Sequence, residues 1–232
     1  MLKTNVTEYR HQWLGGEEIP LPVGKVVCVG RNYAEHAKEL NNPIPTEPLL
    51  FMKPSTSLVP FSESISIPKG FGEVHYESEI AILIGKRLSV DVGGQLPDQA
   101  SVGGAIEGVA ASLDLTLREL QSDLKSKGQP WEKAKAFDGA CPVSQFVKPE
   151  LVGSLTDLTI GLAMDGVQVQ SGCSKDMLTP IVELLRYITQ FFTLMPGDVV
   201  LTGTPKGVGQ IQPGQQLTLQ LGADFRFDAQ TV

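Results

Sequence analysis

The segment 74–88, VHYESEIAILIGKRL, constrains the fold more than any other part of the sequence. Its β-branched and aliphatic residues predict a strand, with Gly85 near the end. Side chains alternate between the faces of a strand, so Glu77 and Glu79 share one face with His75, the two glutamates about 7 Å apart. Two carboxylates beside an apolar run are costly to bury, because they repel each other and both lose hydration. A hard divalent cation with oxygen ligands would remove this cost, and a strand end that exposes both glutamates to solvent is the alternative.

The composition is that of a soluble globular chain that can bury one substantial core. It has 232 residues, of which 41% are hydrophobic and 19% charged, so one domain is favoured over two. The net charge of −7 argues against a nucleic-acid partner, which would require a basic face. Cys28, Cys141 and Cys173 are far apart and form no C-x-x-C motif. This pattern favours a reducing compartment and predicts neither disulfides nor a zinc site.

The sequence shows no sign of export or of membrane insertion. The first twenty residues lack the apolar segment of a signal peptide, and no apolar run approaches the ~20 residues that cross a bilayer. We therefore expect a cytoplasmic protein that has no membrane partner. Residues 1–22 are polar, contain Gly15-Gly16 and end near two prolines. They are predicted to form an amino-terminal arm against a single catalytic domain at residues 23–232.

Short apolar segments between turn residues predict many strands and two substantial helices, hence a β-rich α+β domain. The predicted strands beyond segment 74–88 are 25–30, 49–52, 103–115, 198–202, 217–221 and a hairpin that turns at Asp165-Gly166. The two longer helices are predicted at 116–127 and after Thr179-Pro180, with Thr179 as the N-cap of the second. A short helix is predicted at 34–40, closed by Asn41-Asn42-Pro43.

Several polar residues elsewhere could take part in chemistry, although none is specific by itself. His36 and Glu39 are three residues apart on the short predicted helix, where they could act as a general base and its orienting carboxylate. Such a pair more often lies on a solvated helix face. Arg118, Gln121 and Lys125 follow helical spacing along one side of a helix, which by default also indicates a solvated face.

Two loops carry the remaining candidate residues. Lys135 falls in the polar loop 131–139, where a lysine is usually a surface charge. The loop GTPKGVG at 203–209 lacks the order of a nucleotide-binding P-loop and the helix that would follow it. Its glycines would instead let the backbone approach a small ligand, and Thr204 offers a hydroxyl group.

Together these segments resemble the fumarylacetoacetate hydrolase family. The matching segments are GRNYAEHAKE (30–39), LFMKPST (50–56), HYESE (75–79), LDLTLRELQ (113–121), KGQPWEKAKAFD (127–138), CPVS (141–144) and LTGTPKGVG (201–209). The likeness covers about residues 21–232 and is greatest to the short acylpyruvate hydrolase branch, which includes oxaloacetate-decarboxylating members. It implies a mixed β-sandwich roll with few helices, usually dimeric, without the extra amino-terminal domain of the longer fumarylacetoacetase.

The resemblance also implies a metal centre. The three acidic ligands of the family fall on Glu77, Glu79 and Asp114. Mg²⁺ is the usual ion, with Mn²⁺ or Ca²⁺ as alternatives. A cation held by three carboxylates keeps open positions at which a 2-oxo acid can chelate through its carboxylate and keto oxygens. The partners we expect are therefore a small 2-oxo acid and a second copy of this chain in a homodimer.

Catalytic and substrate-binding roles follow from the same likeness. The His–Glu dyad of the family falls on His36 and Glu39, on a helix that acts as a lid in relatives, and the active-site lysine falls on Lys135. The substrate-contacting positions fall on Arg118, Gln121 and Thr204.

These roles predict a hydrolase that cleaves the C–C bond of a short acylpyruvate, such as acetylpyruvate or fumarylpyruvate. His36, oriented by Glu39, would activate water for attack at C4. Cleavage of C3–C4 leaves a pyruvate enolate, whose charge the metal ion and Lys135 would stabilise. Decarboxylation of oxaloacetate gives the same enolate, so an oxaloacetate decarboxylase or tautomerase, or a 2-oxo-acid isomerase of an aromatic degradation pathway, is the alternative. A third interpretation is a catalytically silent metal-binding protein.

Overall fold

Three β-sheets with short helices at their margins make up the fold, which is described for residues 9–62 and 64–232 of a computed structural model. This architecture confirms the predicted β-rich α+β class. The strands are β1 Val26–Gly30, β2 Leu49–Lys53, β3 Leu58–Pro60, β4 Val74–Tyr76, β5 Ser78–Ile84, β6 Ile106–Leu113, β7 Thr116–Leu117, β8 Cys141–Val143, β9 Thr159–Met164, β10 Val167–Cys173, β11 Val199–Leu201, β12 Gly209–Gln210, β13 Gln216–Leu221 and β14 Phe225–Gln230. The helices are α1 Ala34–Glu39, α2 Gln99–Gly103, α3 Arg118–Ser126, α4 Glu132–Lys135 and α5 Ile181–Ile188.

The largest sheet has seven strands in the order β2-β1-β11-β5-β6-β8-β3. Its central strands are apolar on both faces, as expected for strands that are covered on both sides. All seven residues of β5 are buried. β5 pairs antiparallel with β6 and β11, whereas β1 pairs parallel with β11. The first residues of β5 therefore lie inside the protein and are flanked by strands from distant parts of the chain.

The second sheet is antiparallel, in the order β10-β9-β13-β14, and packs against the first. Burial alternates along β13 and β14, so each strand turns one face to the core. Side chains from both sheets, such as Ile80 and Ile82 from the first and Leu162 and Leu219 from the second, belong to one hydrophobic cluster. The predicted hairpin is confirmed, since β9 and β10 pair across Asp165-Gly166, both with positive φ.

A third, small sheet in the order β12-β4-β7 corrects the prediction for segment 74–88. This segment forms two strands instead of one, because the chain changes pairing partners at Glu77. β4 pairs with β7 and β12, whereas β5 pairs with β6 and β11 and ends at Ile84. Glu77 therefore occupies the junction of two sheets, where its carbonyl oxygen accepts a hydrogen bond of 2.8 Å from the amide of Asp114.

Other predicted boundaries shift by a few residues. The helix predicted at 116–127 begins at Arg118, because Thr116 and Leu117 pair with β4. α5 begins after Pro180 without a side-chain cap, so the predicted N-cap role of Thr179 is wrong. The Thr179 amide instead donates to the side chain of Asn32 at 2.8 Å. The predicted loop at 131–139 contains the short helix α4.

The described part of the predicted amino-terminal arm packs against the first sheet. Tyr9, His11 and Ile19 are buried, and His11 Nε2 lies 3.0 Å from the carbonyl oxygen of Gly197. The boundary at residue 22 stays a prediction, and residues 1–8 lie outside the described part of the chain. Within residues 9–62 and 64–232, the helices are all too short to span a bilayer.

Candidate metal centre and active site

Three carboxylates converge at the point where β4 ends and β5 begins. Glu79 lies in β5, Glu77 precedes it, and Asp114 follows β6, whose register with β5 places Ser78 opposite Leu113. One oxygen atom of each carboxylate lies within 4.8 Å of the others. The three side chains are only 5%, 1% and 1% exposed. The structure therefore brings together all three ligands predicted from the sequence.

The electrostatics of this cluster suit a cation. Burial raises the pKa of Glu79 well above its usual value, and the neighbouring charges of Asp114 and Glu77 raise it further. One oxygen of Glu79 also accepts a hydrogen bond of 2.6 Å from the amide of Gly203. A group of buried carboxylate oxygens that repel one another is the ligand set that hard divalent cations prefer. The residues present therefore fit the divalent metal ion that the sequence predicts.

Lys135 neutralises two of the three carboxylates. Its Nζ lies 2.9 Å from Glu77 Oε2 and 2.7 Å from Asp114 Oδ2, and the residue is 3% exposed. Burial favours the neutral form of both groups, but the attraction between them is stronger, so the pKa of Lys135 rises and that of Glu77 falls. Arg118 adds a second contact to Glu77. The default expectation of a surface charge is therefore wrong for Lys135.

Lys53 is a buried charge that the sequence analysis did not single out. Its Nζ lies 2.7 Å from Asp114 Oδ1 and donates to the carbonyl oxygens of Lys135 and Ala140, and the residue is fully buried. A lysine at the end of an apolar strand, directly before Pro54, was the available signal. Lys53 therefore links the carboxylate of Asp114 to the helix that carries Lys135.

The His–Glu pair lies on α1 above the carboxylates. His36 is 5% exposed, and its Nδ1 lies 3.5 Å from Glu39 Oε2. The Glu39 carboxylate also accepts a hydrogen bond from the amide of Gly207, at 3.1 and 3.2 Å to its two oxygens. Burial lowers the pKa of His36, although the charges of Glu77 and Glu39 oppose this effect. His36 is therefore a neutral imidazole near pH 7, as a general base must be.

A cavity of about 40 Å³ joins these groups. Eight of the nine predicted site residues line it. The exception is Glu39, which contacts His36 instead. Further lining residues that sequence reasoning did not assign are Arg31, Asn42, Phe51, Lys125 and Trp131. The solvated face predicted for α3 is therefore wrong, since Arg118, Gln121 and Lys125 all line the cavity.

Two further predicted positions are fixed by contacts outside the cavity. Thr204 accepts a hydrogen bond of 2.9 Å from the buried side chain of Gln170, which in turn accepts one from the amide of Ser78. His75, which shares a strand face with Glu77 in the prediction, is not among the lining residues. Its Nε2 lies 3.1 Å from Glu73 instead, because β4 belongs to a different sheet from β5.

Fold and site together define a class, namely β-sandwich proteins with a buried carboxylate site for a divalent cation beneath a His–Glu pair. Residues 25–231 match the family described as fumarylacetoacetate (FAA) hydrolase C-terminal. The chain belongs to the fumarylacetoacetate hydrolase family, which confirms the resemblance seen in its motifs.

Similar proteins within this family bear names that indicate more specific activities. An oxaloacetate tautomerase of Escherichia coli K12 is 47% identical over 212 residues, which covers 91% of this chain and 94% of the relative. A fumarylacetoacetate hydrolase family protein from Yersinia pestis has a solved structure with a TM-score of 0.92 and 46% identity, covering 97% of this chain and all of that one. The fumarylpyruvate hydrolase of Pseudomonas aeruginosa, solved with Mn²⁺ and pyruvate, has a TM-score of 0.88 and 31% identity, covering 100% and 99%.

These likenesses bear on the two activities weighed from the sequence. The family consists of enzymes, and relatives with oxaloacetate-directed names are more similar to this chain than the fumarylpyruvate hydrolase is. Acylpyruvate cleavage, the main expectation, is therefore not confirmed. The oxaloacetate-directed alternative has the better support.

Proposed function

We propose that the protein is a divalent-cation-dependent oxaloacetate tautomerase, which interconverts the enol and keto forms of oxaloacetate. The observation that carries this proposal is the position of His36, which is 5% exposed and lines a cavity of about 40 Å³ next to three carboxylates. Tautomerisation moves a proton between an oxygen and a carbon atom and consumes no water. A buried imidazole beside buried carboxylates suits such a reaction, because burial limits the water that can compete for the proton.

Glu77, Glu79 and Asp114 would hold the cation, for which we propose Mg²⁺, with Mn²⁺ or Ca²⁺ as alternatives. A bound divalent cation supplies a Lewis acid that polarises the keto oxygen of a 2-oxo acid. Lys135 contacts both Glu77 and Asp114, and Lys53 contacts Asp114, so the two ammonium groups offset the repulsion between these carboxylates. The Mn²⁺ bound to the fumarylpyruvate hydrolase supports a divalent ion in this family.

His36 would move the proton. Its Nδ1 faces Glu39, so Nε2 is the nitrogen that is free to meet the substrate. From keto to enol, Nε2 would take a proton from C3 as the C2–C3 bond becomes double, and the resulting imidazolium would return that proton to the keto oxygen, so His36 ends neutral again. Two donors of the Lys135 ammonium are used by Glu77 and Asp114, which leaves its third N–H for a substrate oxygen. Arg118 and Gln121, hydrogen-bonded to each other at 2.8 Å, would orient the substrate carboxylate.

Acylpyruvate hydrolysis is the second candidate, favoured by the His36–Glu39 pair, which could equally activate a water molecule. The fumarylpyruvate hydrolase with a TM-score of 0.88 supports this candidate. Hydrolysis requires a cavity that admits water together with the substrate, so α1 would have to lift further than tautomerisation demands. The expected homodimer stays a prediction under either candidate.

The experiment follows the decay of enol-oxaloacetate by its ultraviolet absorbance, with Mg²⁺ and with a chelator, and runs the same protein on acetylpyruvate. We expect rapid, cation-dependent decay of the enol and slow cleavage of acetylpyruvate. His36→Gln should slow the enol decay by ~10²–10⁴, the usual contribution of a general acid–base group, without weakening the affinity for Mn²⁺.

Lys38→Gln is the matched control, because Lys38 lies on the same helix but is exposed and pairs only with Glu35. It should leave the rate of enol decay unchanged. Fast cleavage of acetylpyruvate with no acceleration of enol decay would replace this proposal with the hydrolase. No cation-dependent reaction of either compound would leave the catalytically silent interpretation.

A further inference from the structure

Two cations on the cavity wall have no carboxylate partner. Arg31 and Lys125 both line the cavity. Among residues 9–62 and 64–232 neither forms an ion pair, whereas Lys53, Lys135 and Arg118 all contact the metal-binding carboxylates. The three paired cations therefore serve the carboxylate cluster, and the two unpaired ones are left facing the space that a substrate would fill.

Local structure constrains both residues, Arg31 through its backbone and Lys125 through its side-chain contacts. Arg31 directly follows β1 with a φ of 59°, a left-handed conformation that is uncommon for a residue other than glycine. Such backbone strain is concentrated at binding sites. Lys125 projects from the last turn of α3, where its Nζ donates to Asn42 Oδ1 at 3.2 Å and lies 5.8 Å from the centre of the Trp131 ring. Its ammonium group is thus positioned by neutral partners only.

The two charges also act on each other. Burial lowers the pKa of Lys125, and the charges of Arg31 and Arg118 lower it further. Like charges that are held together in a half-buried wall cost free energy unless an anion joins them. A carboxylate is the group that would satisfy the planar guanidinium and the ammonium together.

We propose that Arg31 and Lys125 bind the second carboxylate of a dicarboxylic 2-oxo acid, whose 2-oxo end faces Glu77, Glu79 and Asp114. This proposal rests on the proposed function and deepens it, because it selects the substrate class. Oxaloacetate carries a carboxylate at both ends, whereas acetylpyruvate ends in a methyl group. Discrimination between them requires positive charge within reach of the second carboxylate, and Arg31 and Lys125 line the same cavity as the carboxylate cluster.

The test compares oxaloacetate with 2-oxobutanoate, which differs only by a methyl group in place of the second carboxylate. Dissociation constants are measured by calorimetric titration of the Mn²⁺-loaded protein. Wild type should bind oxaloacetate at least tenfold more tightly. Arg31→Met and Lys125→Met should each raise the dissociation constant for oxaloacetate by roughly 10- to 100-fold, the range for a lost hydrogen bond between charged groups. The dissociation constant for 2-oxobutanoate should change by less than twofold in both variants. Lys127→Met is the control, because Lys127 is exposed at the end of α3 and pairs with Asp123.

The outcomes separate this inference from the proposed function. If wild type shows no preference for oxaloacetate, including no binding of either compound, the subsite is wrong. If the two variants weaken the binding of both compounds equally, the residues act through the cation or the fold, and the proposed subsite is again wrong. If oxaloacetate is preferred through Arg31 and Lys125 but its enol is not isomerised, the subsite stands and the tautomerase proposal fails.

Discussion

Replacing Lys53 by methionine should destabilise the protein far more than removing an equivalent surface lysine. Met preserves most of the side-chain volume but removes a fully buried ammonium that lies 2.7 Å from Asp114 Oδ1. Asp114 would then keep only Lys135 as a partner, and the carbonyl oxygens of Lys135 and Ala140 would lose a donor. Breaking a buried ion pair by removing one partner costs about 3–5 kcal/mol.

The matched control has the same geometry at the surface. Lys127 Nζ also lies 2.7 Å from a carboxylate oxygen, that of Asp123, but the two side chains are 56% and 50% exposed. Lys127→Met should therefore cost at most about 0.5 kcal/mol, because water solvates both charges. In a chain of this length each 1 kcal/mol lowers the melting temperature by about 2–4 °C. The difference between the two variants is therefore large enough to measure.

The assay is equilibrium unfolding in urea, first with a chelator and then with saturating Mn²⁺. With the chelator, Lys53→Met should lower the free energy of unfolding by about 3 kcal/mol or more. With Mn²⁺ the loss should shrink, because a bound cation offers the Asp114 carboxylate a second positive charge. If Lys53→Met is no more destabilising than Lys127→Met, the buried ion pair is not what orders this site.

Two further predictions concern a glycine and a histidine outside the metal centre. Gly207→Ala should lower kcat by roughly tenfold or more without changing the affinity for Mn²⁺. A Cβ at this position would collide with the Val169 carbonyl oxygen, and the collision would displace the Gly207 amide that donates a hydrogen bond to Glu39. Gly214→Ala, which also has a positive φ but open space around it, is the control, and equal kinetics of the two variants would contradict this role. Burial lowers the pKa of His11. Below pH ~6.5 the unfolded chain therefore takes up a proton that the folded chain does not. As the pH is lowered, the free energy of unfolding falls by about 1.4 kcal/mol per pH unit until the pKa of the folded state is reached. His11→Gln should flatten this loss in urea midpoints measured from pH 5 to 7.5, and identical slopes would refute it.

The carboxylate cluster was accessible from the sequence because its signal is local. Glu77 and Glu79 lie two residues apart at the start of an apolar run. This pattern by itself indicates two like charges whose burial would require a counter-ion. The family motifs supplied Asp114, His36 and Lys135. Strand positions were also accessible where apolar runs end at clear turns, as at Asp165-Gly166.

The remaining features depend on contacts between distant segments. The local signal for Lys53, its place at the end of an apolar strand, does not reveal its partners, because Asp114 and Ala140 are more than sixty residues away. The break at Glu77 has the same origin, since β4 and β5 are separated by their pairing partners and not by a turn residue. The helix α2 was not among the predicted helices, although Asp98 caps it by accepting a hydrogen bond of 2.7 Å from the Ser101 amide.

The three clustered carboxylates and the rest of the cavity wall belong to different kinds of structure. Glu77, Glu79 and Asp114 extend from two neighbouring strands at the centre of a buried sheet, where substitutions that alter packing are costly. The remaining wall comes from α1, α3, α4, the loop after β11 and the edge strand β2, together with β1 beside it. Most of these elements lie at the margins of the sheets. Such margins tolerate sequence change far better than central strands do. We therefore expect substitutions in the wall to alter the choice of substrate at a lower cost in stability than substitutions among the three carboxylates.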